Sequence, residues 1–132
     1  MSKLLIFIGL LAILIPSQSI GGDNFLSAQS AFSPAISSSD EGDAILSFDI
    51  AEGYFLYADS LIIKDSDDSL LSLKLPEAQL LYDEFFDEFK PVLSGAIVAD
   101  LPPTTSPYIL VTYQGCALEG LCYTPTTVKL LL

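Results

Sequence analysis

The sequence contains no histidine and no arginine, and its only methionine is Met1 at the N-terminus. Without histidine, serine–histidine–aspartate and cysteine–histidine catalytic sites are excluded, and so are zinc sites built on histidine. No P-loop motif is present. The two cysteines could in principle hold copper(I), but the one methionine would be lost with an N-terminal leader. We therefore expect no metal and no small-molecule cofactor.

Basic side chains are also scarce, because 5 lysines stand against 17 aspartates and glutamates, for a net charge of −12. Phosphate backbones and anionic lipid surfaces repel a protein of this charge. We therefore expect neither nucleic acid nor an anionic membrane surface as a partner. Solubility accounts for most of the carboxylates.

The N-terminus has the order of a secretory signal peptide. Lys3 is followed by an apolar run over residues 4–15, then by Pro16 and several small residues. This order of basic, apolar and small-residue regions is typical of export signals, and the run is shorter than the roughly 20 residues that span a bilayer. We predict a cleaved signal peptide at 1–21 and a mature domain at 22–132. A domain of this length suits a single β-sandwich.

Most of the mature region consists of short segments in which apolar and polar residues alternate, as in half-buried strands. Turn-forming residues separate these segments, and no long amphipathic helical pattern occurs. Segment 33–39 is predicted as a loop, and segment 82–89 is compatible with a helix or a loop. The pattern predicts an all-β sandwich. The predicted strands are 44–50, 54–57, 61–64, 71–75, 108–113 and 126–132.

Both cysteines of the chain lie in one short stretch between two of the predicted strands. Five residues separate Cys116 from Cys122, with Gly115 beside the loop and Gly120 inside it. Glycine lets a chain turn through positive φ at little steric cost. The stretch therefore predicts a hairpin whose end carries a dithiol or a disulfide, and a disulfide persists in an oxidising compartment.

Three motifs in this sequence resemble the N-terminal periplasmic domain of the thiol:disulfide interchange protein DsbD family. Residues 113–125 read YQGCALEGLCYTP, against a family pattern of YQGC, a short glycine-containing loop and CY-P-P. Residues 53–57 read GYFLY, against GYYLY, and Asp83-Glu84-Phe85 follows a Leu-Pro pair. Segment 25–32 is a weaker match. The cysteine motif is the specific one, although Thr124 replaces its first proline.

The resemblance implies an immunoglobulin-like antiparallel β-sandwich whose cysteines cycle between dithiol and disulfide. By this resemblance Cys122 forms mixed disulfides with partners, and the local sequence agrees, because Cys116 ends the incoming strand. The resemblance also implies a phenylalanine that shields the sulfurs, two aromatic walls and two acidic neighbours. These residues are Phe85 as the shield, Phe55 and Tyr57 as the walls, and Asp83 and Glu84 as the neighbours.

The function implied by the resemblance is an electron relay in the periplasm, as a component of a protein-disulfide reductase. Its partners would be thioredoxin-like redox proteins, such as a disulfide isomerase and a cytochrome-maturation thioredoxin, and a membrane electron transporter. The sequence departs from the family at two places. Asp87 and Glu88 stand where a glycine usually follows the cap aromatics, and Ala58 stands where a basic residue is usual.

A second interpretation is a non-catalytic immunoglobulin-like interaction module with a structural disulfide. Under this interpretation Phe85, Phe55 and Tyr57 are ordinary packing residues, and Asp83 and Glu84 belong to a solvated turn. The reduction potential separates the two interpretations, because structural disulfides of secreted proteins lie below about −300 mV and catalytic ones lie higher.

Overall fold

The computed structural model describes residues 24–132, so the predicted signal peptide at 1–21 lies outside the described residues. Antiparallel strands dominate this part of the chain, which confirms the predicted all-β architecture. Between residues 24 and 132, no helix has the length and apolar character needed to cross a bilayer. In chain order the elements are α1 (Ala28–Phe32), β1 (Pro34–Ser38), β2 (Ala44–Asp49), β3 (Tyr54–Tyr57), a 3-10 turn (Ala58–Ser60), β4 (Ile62–Asp65), β5 (Gln79–Asp83), β6 (Glu88–Leu93), β7 (Ala96–Asp100), β8 (Tyr108–Tyr113), β9 (Gly115–Ala117) and β10 (Thr126–Leu131).

The strands form three sheets, ordered β1-β2-β7, β10-β8-β4 and β5-β6-β3-β9. The two strands that flank the cysteine stretch, β8 and β10, pair with each other as predicted, with Val111 opposite Val128. In the four-stranded sheet, β3 lies between β6 and β9, neither of which is its neighbour in sequence. This sheet carries Cys116 on β9.

One apolar core collects residues from α1 and from all three sheets. Three aromatic rings stand at its centre, and each packs edge-to-face on another. The ring centroids of Phe32 and Tyr113 lie 5.7 Å apart, and those of Phe48 and Tyr113 lie 5.5 Å apart. Alternate residues of β2 reach this core, because successive side chains of a strand point to opposite faces.

Three segments differ from the sequence-based expectations. Residues 71–75 belong to no strand, although Leu71, Leu73 and Leu75 pack against the core as their alternation indicates. Alternation reports which side is buried and does not supply a hydrogen-bonding partner strand. The expected loop at 33–39 contains β1, because β2 pairs with it along its whole length.

The third difference lies in segment 82–89, for which a helix and a loop were both possible. It is a β-hairpin, in which the end of β5 pairs with the start of β6 around a turn at 84–87. Tyr82 lies opposite Phe89, and their rings meet edge-to-face at 5.4 Å. Cross-strand aromatic pairs stabilise antiparallel pairing, which favours a hairpin here.

Candidate active site

The two cysteines lie directly opposite each other in an antiparallel bridge and are joined by a disulfide. Their Cα atoms are 4.0 Å apart. The N–H of Ala117 donates to the carbonyl of Leu121 at 2.7 Å, and a second backbone bond closes the other side of the bridge. The cysteines therefore form a non-hydrogen-bonded pair, with backbone hydrogen bonds on either side of it. In an antiparallel ladder this is the type of pair whose side chains come closest.

The two sulfur-bearing residues differ sharply in exposure. Cys116 is 1% exposed and lies opposite Phe55 in the β3–β9 ladder. Cys122 is exposed at the far end of the loop. A reagent from solvent therefore meets Cys122 first.

The two glycines of the motif serve different purposes. Gly120 has φ of +109°, the left-handed geometry that a turn between the cysteines requires. Gly115 has no positive φ and is needed for space. A Cβ placed on it would stand 2.6 Å from Phe32 Cε1 and would also collide with the carbonyl oxygen of Phe55. The close approach of β9 to the core thus depends on Gly115.

The Tyr57 hydroxyl lies against the disulfide. Its oxygen is 3.2 Å from Cys116 Sγ and 4.0 Å from Cys122 Sγ. Disulfide sulfurs carry no proton and cannot donate to this oxygen. The Tyr57 hydroxyl itself donates its proton to Asp83 Oδ2. Burial raises the pKa of Tyr57, and the bond to Asp83 raises it further. Tyr57 therefore stays protonated at physiological pH.

The Asp83 carboxylate connects Tyr57 to the hairpin turn at 84–87. Oδ1 accepts hydrogen bonds from the backbone N–H groups of Phe85 at 2.8 Å and Phe86 at 3.3 Å, while Oδ2 accepts from Tyr57. The Tyr57 bond is the main reason that the pKa of Asp83 is lowered. Asp83 is therefore ionised at neutral pH, and it fixes the start of the turn.

The turn ends at Asp87, which has φ of +53°. This is the left-handed region that glycine favours and that aspartate tolerates better than most residues. Asp87 therefore takes a backbone conformation that glycine adopts with less strain. The Tyr82 hydroxyl donates to Asp87 Oδ1 and closes the turn from the outside.

An open cleft of about 560 Å³ separates the hairpin turn from the cysteine loop, with the sulfurs on its floor. All seven residues singled out from the sequence line this cleft. They are Cys116, Cys122, Phe55, Tyr57, Asp83, Glu84 and Phe85. Within residues 24–132, no group of three or more histidine, cysteine, aspartate or glutamate side chains is arranged to hold a metal.

A family model described as Thiol:disulfide interchange protein DsbD, N-terminal, matches residues 22–132. The chain belongs to the DsbD N-terminal domain family. Thiol:disulfide interchange protein DsbD 1 of Pseudomonas aeruginosa is 38% identical over 122 residues, which cover 85% of this chain and 20% of that protein. DsbD of Pasteurella multocida is 37% identical over 107 residues, or 78% of this chain and 18% of that protein. The chain thus spans about a fifth of the length of these curated relatives.

Solved structures agree with the DsbD assignment. The reduced DsbD N-terminal domain of Neisseria meningitidis superposes with a TM-score of 0.69 at 26% identity, covering 82% of this chain and 89% of that one. A complex between the DsbD N-terminal and PilB N-terminal domains of the same organism gives 0.65 at 27% identity, covering 81% and 86%. These likenesses confirm the predicted immunoglobulin-like sandwich.

Two residues that reach the cleft-lining Tyr57 ring, Phe86 and Lys90, were not singled out from the sequence. Phe85, the expected shield, is 83% exposed, and its ring packs at 5.0 Å on Phe86. It is Phe86 whose ring reaches Tyr57, at 6.4 Å. The Lys90 ammonium group lies beside the rings of Tyr57 and Phe86. The one available sequence signal was that Lys90 is the only cation near the acidic run at 83–88.

Proposed function

We propose that this domain relays electrons by thiol–disulfide exchange between a thioredoxin-like reductant and oxidised periplasmic proteins, with Cys116 and Cys122 as the redox pair. The observation that carries the proposal is the unequal exposure of the two sulfurs on the floor of an open cleft. A disulfide that only staples a hairpin requires neither the cleft nor the unequal exposure. Membership of the DsbD N-terminal family supports the same activity.

Exchange begins when a partner thiolate attacks the exposed Sγ of Cys122. The disulfide breaks, a partner–Cys122 disulfide forms, and Cys116 leaves with the bonding electron pair as a thiolate. A second partner thiolate then attacks the partner sulfur of that mixed disulfide and releases Cys122. The partner departs oxidised by two electrons, and the domain takes up two protons to become a dithiol. The reverse sequence reduces an oxidised protein.

Tyr57 is suited to receive the leaving Cys116. Its hydroxyl oxygen lies 3.2 Å from that sulfur, and its raised pKa keeps the proton in place. When Cys116 becomes a thiolate, the hydroxyl can turn from Asp83 and donate to the sulfur. A hydrogen bond to an ionised acceptor is stronger than one to a neutral acceptor, so this contact stabilises the leaving group.

The carboxylates around the cleft make the dithiol a slow nucleophile when it is alone. Asp83, Glu84 and Glu119 all line the cleft. Nearby negative charge raises the pKa of a thiol, and only the thiolate attacks a disulfide. We propose that exchange becomes fast only when a partner docks and covers these carboxylates. In this arrangement Phe55 and Tyr57 form the aromatic walls.

The remaining parts of the proposal concern location and partners. We propose that residues 1–21 export the chain and are cleaved, that 22–132 form the periplasmic domain, and that Phe85 shields the sulfurs between partners. A membrane electron transporter would supply the electrons. Thioredoxin-like proteins, including a disulfide isomerase and a cytochrome-maturation thioredoxin, would receive them. The complex of a related domain with a PilB domain supports docking of another protein on this fold.

The proposal is tested with single-cysteine variants and a defined partner. The partner is a thioredoxin with one active-site cysteine, activated as a mixed disulfide with thionitrobenzoate. The variant Cys116→Ser, which retains Cys122, should form a covalent complex and release thionitrobenzoate on the order of tenfold faster than Cys122→Ser, because the retained sulfur is exposed. In denaturant both variants should react at equal rates, which controls for intrinsic thiol reactivity.

Equal folded-state rates, or a faster Cys122→Ser, would reverse the assignment of the attacking sulfur. If neither folded variant captured the activated thioredoxin, the relay would be wrong. A reduction potential below about −300 mV would then identify a structural disulfide in a non-catalytic immunoglobulin-like module.

A further inference from the structure

Lys90 is a basic side chain on the same sheet face as the sulfurs. It lies opposite Leu81 in the β5–β6 ladder and two residues before Val92, which lies opposite Tyr57. Directly opposed residues and residues two apart on a strand share a face. The register therefore turns Lys90 toward Tyr57 and Cys116, the buried part of the site.

The ammonium group of Lys90 stands beside the two aromatic rings that connect the turn to the sulfurs. Its Nζ lies 4.9 Å from the ring centroid of Phe86 and 6.0 Å from that of Tyr57. The two rings also meet edge-to-face at 6.4 Å. Cations within about 6 Å of a ring centroid are attracted by the aromatic face. Lys90 therefore contacts both sides of the junction between turn 84–87 and Tyr57.

Two carboxylates hold the Lys90 ammonium group in this position. Asp59 Oδ2, from the 3-10 turn after β3, and Glu88 Oε1, from the start of β6, each lie 3.5 Å from Nζ. The lysine side chain is only 22% exposed. Its positive charge also contributes to the lowered pKa of Asp83, after the stronger effects of the hydrogen bonds.

The other lysines for which the structure gives partners make their contacts away from the cleft. Lys64 pairs with Asp68 at 3.2 Å, and Lys129 stands 4.0 Å over the ring of Tyr108. Among the ion pairs and cation–ring contacts within residues 24–132, those of Lys90 are the ones that reach a ring lining the cleft. Lys64 is therefore a matched control for removal of a paired lysine.

We propose that Lys90 is a positioning residue, which clamps Phe86 of turn 84–87 onto Tyr57 and thereby sets how far the cleft over the disulfide opens. This inference rests on the proposed function, since the cleft is the proposed approach of partners. The turn forms one wall of the cleft. Loss of the clamp frees that wall while Asp83 still holds the start of the turn.

The test measures reduction of the disulfide by dithiothreitol in the oxidised protein, followed by alkylation of the new thiols. Lys90→Met keeps the length of the side chain and removes its charge, so reduction should become about two- to fivefold faster, the size expected from a lost cation–ring contact. Lys90→Arg keeps charge and ring contact and should stay near the wild-type rate. Lys64→Met should not change the rate.

A double-mutant cycle tests whether Lys90 acts through Phe86. Phe86→Leu should also speed reduction, and the double variant with Lys90→Met should be no faster than the faster single variant. An unchanged rate in Lys90→Met, no rescue by arginine, or multiplying effects in the double variant would overturn the inference. If Lys90→Met does not fold, nuclear Overhauser contacts between Lys90 and the Phe86 ring in the wild type decide, and their absence overturns it.

These outcomes are separable from failure of the proposed function. Dithiothreitol needs no protein partner, so the clamp can be correct while thioredoxin capture fails. Capture through Cys122 can likewise succeed while the Lys90 variants behave as the wild type does.

Discussion

This domain contains two apolar clusters. Both are rich in aromatic residues, but one serves packing and the other surrounds the disulfide. The main core holds Phe32, Phe48 and Tyr113, all within 2% exposure, between the sheets. The smaller cluster holds Phe55 and Tyr57 with the buried sulfur, at the floor of an open cleft. Aromatic content therefore does not separate packing from chemistry. The separation comes from the face of the sheet on which a ring lies.

The polar atoms of the two tyrosines make the contrast concrete. The Tyr113 hydroxyl is buried and finds no hydrogen-bond partner within the described residues. The Tyr57 hydroxyl bonds to Asp83 and contacts both sulfurs. Tyr113 thus contributes through the packing of its ring, whereas Tyr57 also places its hydroxyl against the disulfide.

The two clusters lie back to back across one sheet. On β3, Leu56 belongs to the main core, while its neighbours Phe55 and Tyr57 belong to the sulfur cluster. On β6, Leu93 and Val92 divide in the same way. Because successive residues of a strand point to opposite faces, a few strands can build the core and the site at once.

The largest expected effect is on the free energy of unfolding, when a side chain is added at Gly115. In Gly115→Ala the new Cβ collides with the Phe32 ring and with the Phe55 carbonyl oxygen, and the backbone cannot yield cheaply. We expect a loss of about 1–3 kcal/mol in the free energy of unfolding, measured by urea denaturation of the oxidised protein. Ser37→Ala, on exposed β1, is the control and should change stability by less than about 0.5 kcal/mol. Equal stabilities of the two variants would show that β9 is not tightly packed on the core.

An intermediate effect is expected at Phe85, which belongs to the cleft alone. Because its ring is 83% exposed, Phe85→Ala should change the unfolding free energy by no more than about 0.5 kcal/mol. Reduction by dithiothreitol should nevertheless become several-fold faster if the ring shields the sulfurs. Leu131→Ala, another exposed apolar position at 72%, is the matched control. An unchanged reduction rate would leave Phe85 as a surface residue without a shielding role.

The smallest expected effect is a pH dependence at Asp83. Its pKa is lowered from 3.8 in the folded protein, chiefly by the Tyr57 hydrogen bond, so folding favours the ionised form. The stabilisation is fully present above pH 3.8 and is lost as the pH falls through the lower folded value. Protonated Asp83 holds the start of turn 84–87 less firmly, so the disulfide becomes easier to reach. The rate of its reduction by a phosphine should therefore rise modestly in that acidic range, relative to the rate of reduction of glutathione disulfide. Asp83→Asn should abolish this rise, and a wild-type profile parallel to the reference would contradict it.

Much of the fold was predictable because it depends on local pattern. Strand β8 has the predicted bounds, and β2 and β10 each differ from the prediction by one residue at the end. The predictions of a loop at 33–39, where β1 lies, and of a strand at 71–75 were wrong for a common reason. Pairing depends on a neighbouring strand, and no local pattern reports whether a neighbour is present.

The sequence by itself determined the cysteine hairpin, the turn at Gly120 and the family, because each depends on residues close together along the chain. The sequence already indicated that Cys116 is the less accessible sulfur. Only the tertiary structure decided how completely Cys116 is buried, that Gly115 is needed for space, and that Lys90 reaches Tyr57. Each of these follows from the placement of β3 between β6 and β9, strands that lie far from it in sequence. The physical reason is that burial and through-space contact are properties of assembled sheets, whereas periodicity and turns are properties of single segments.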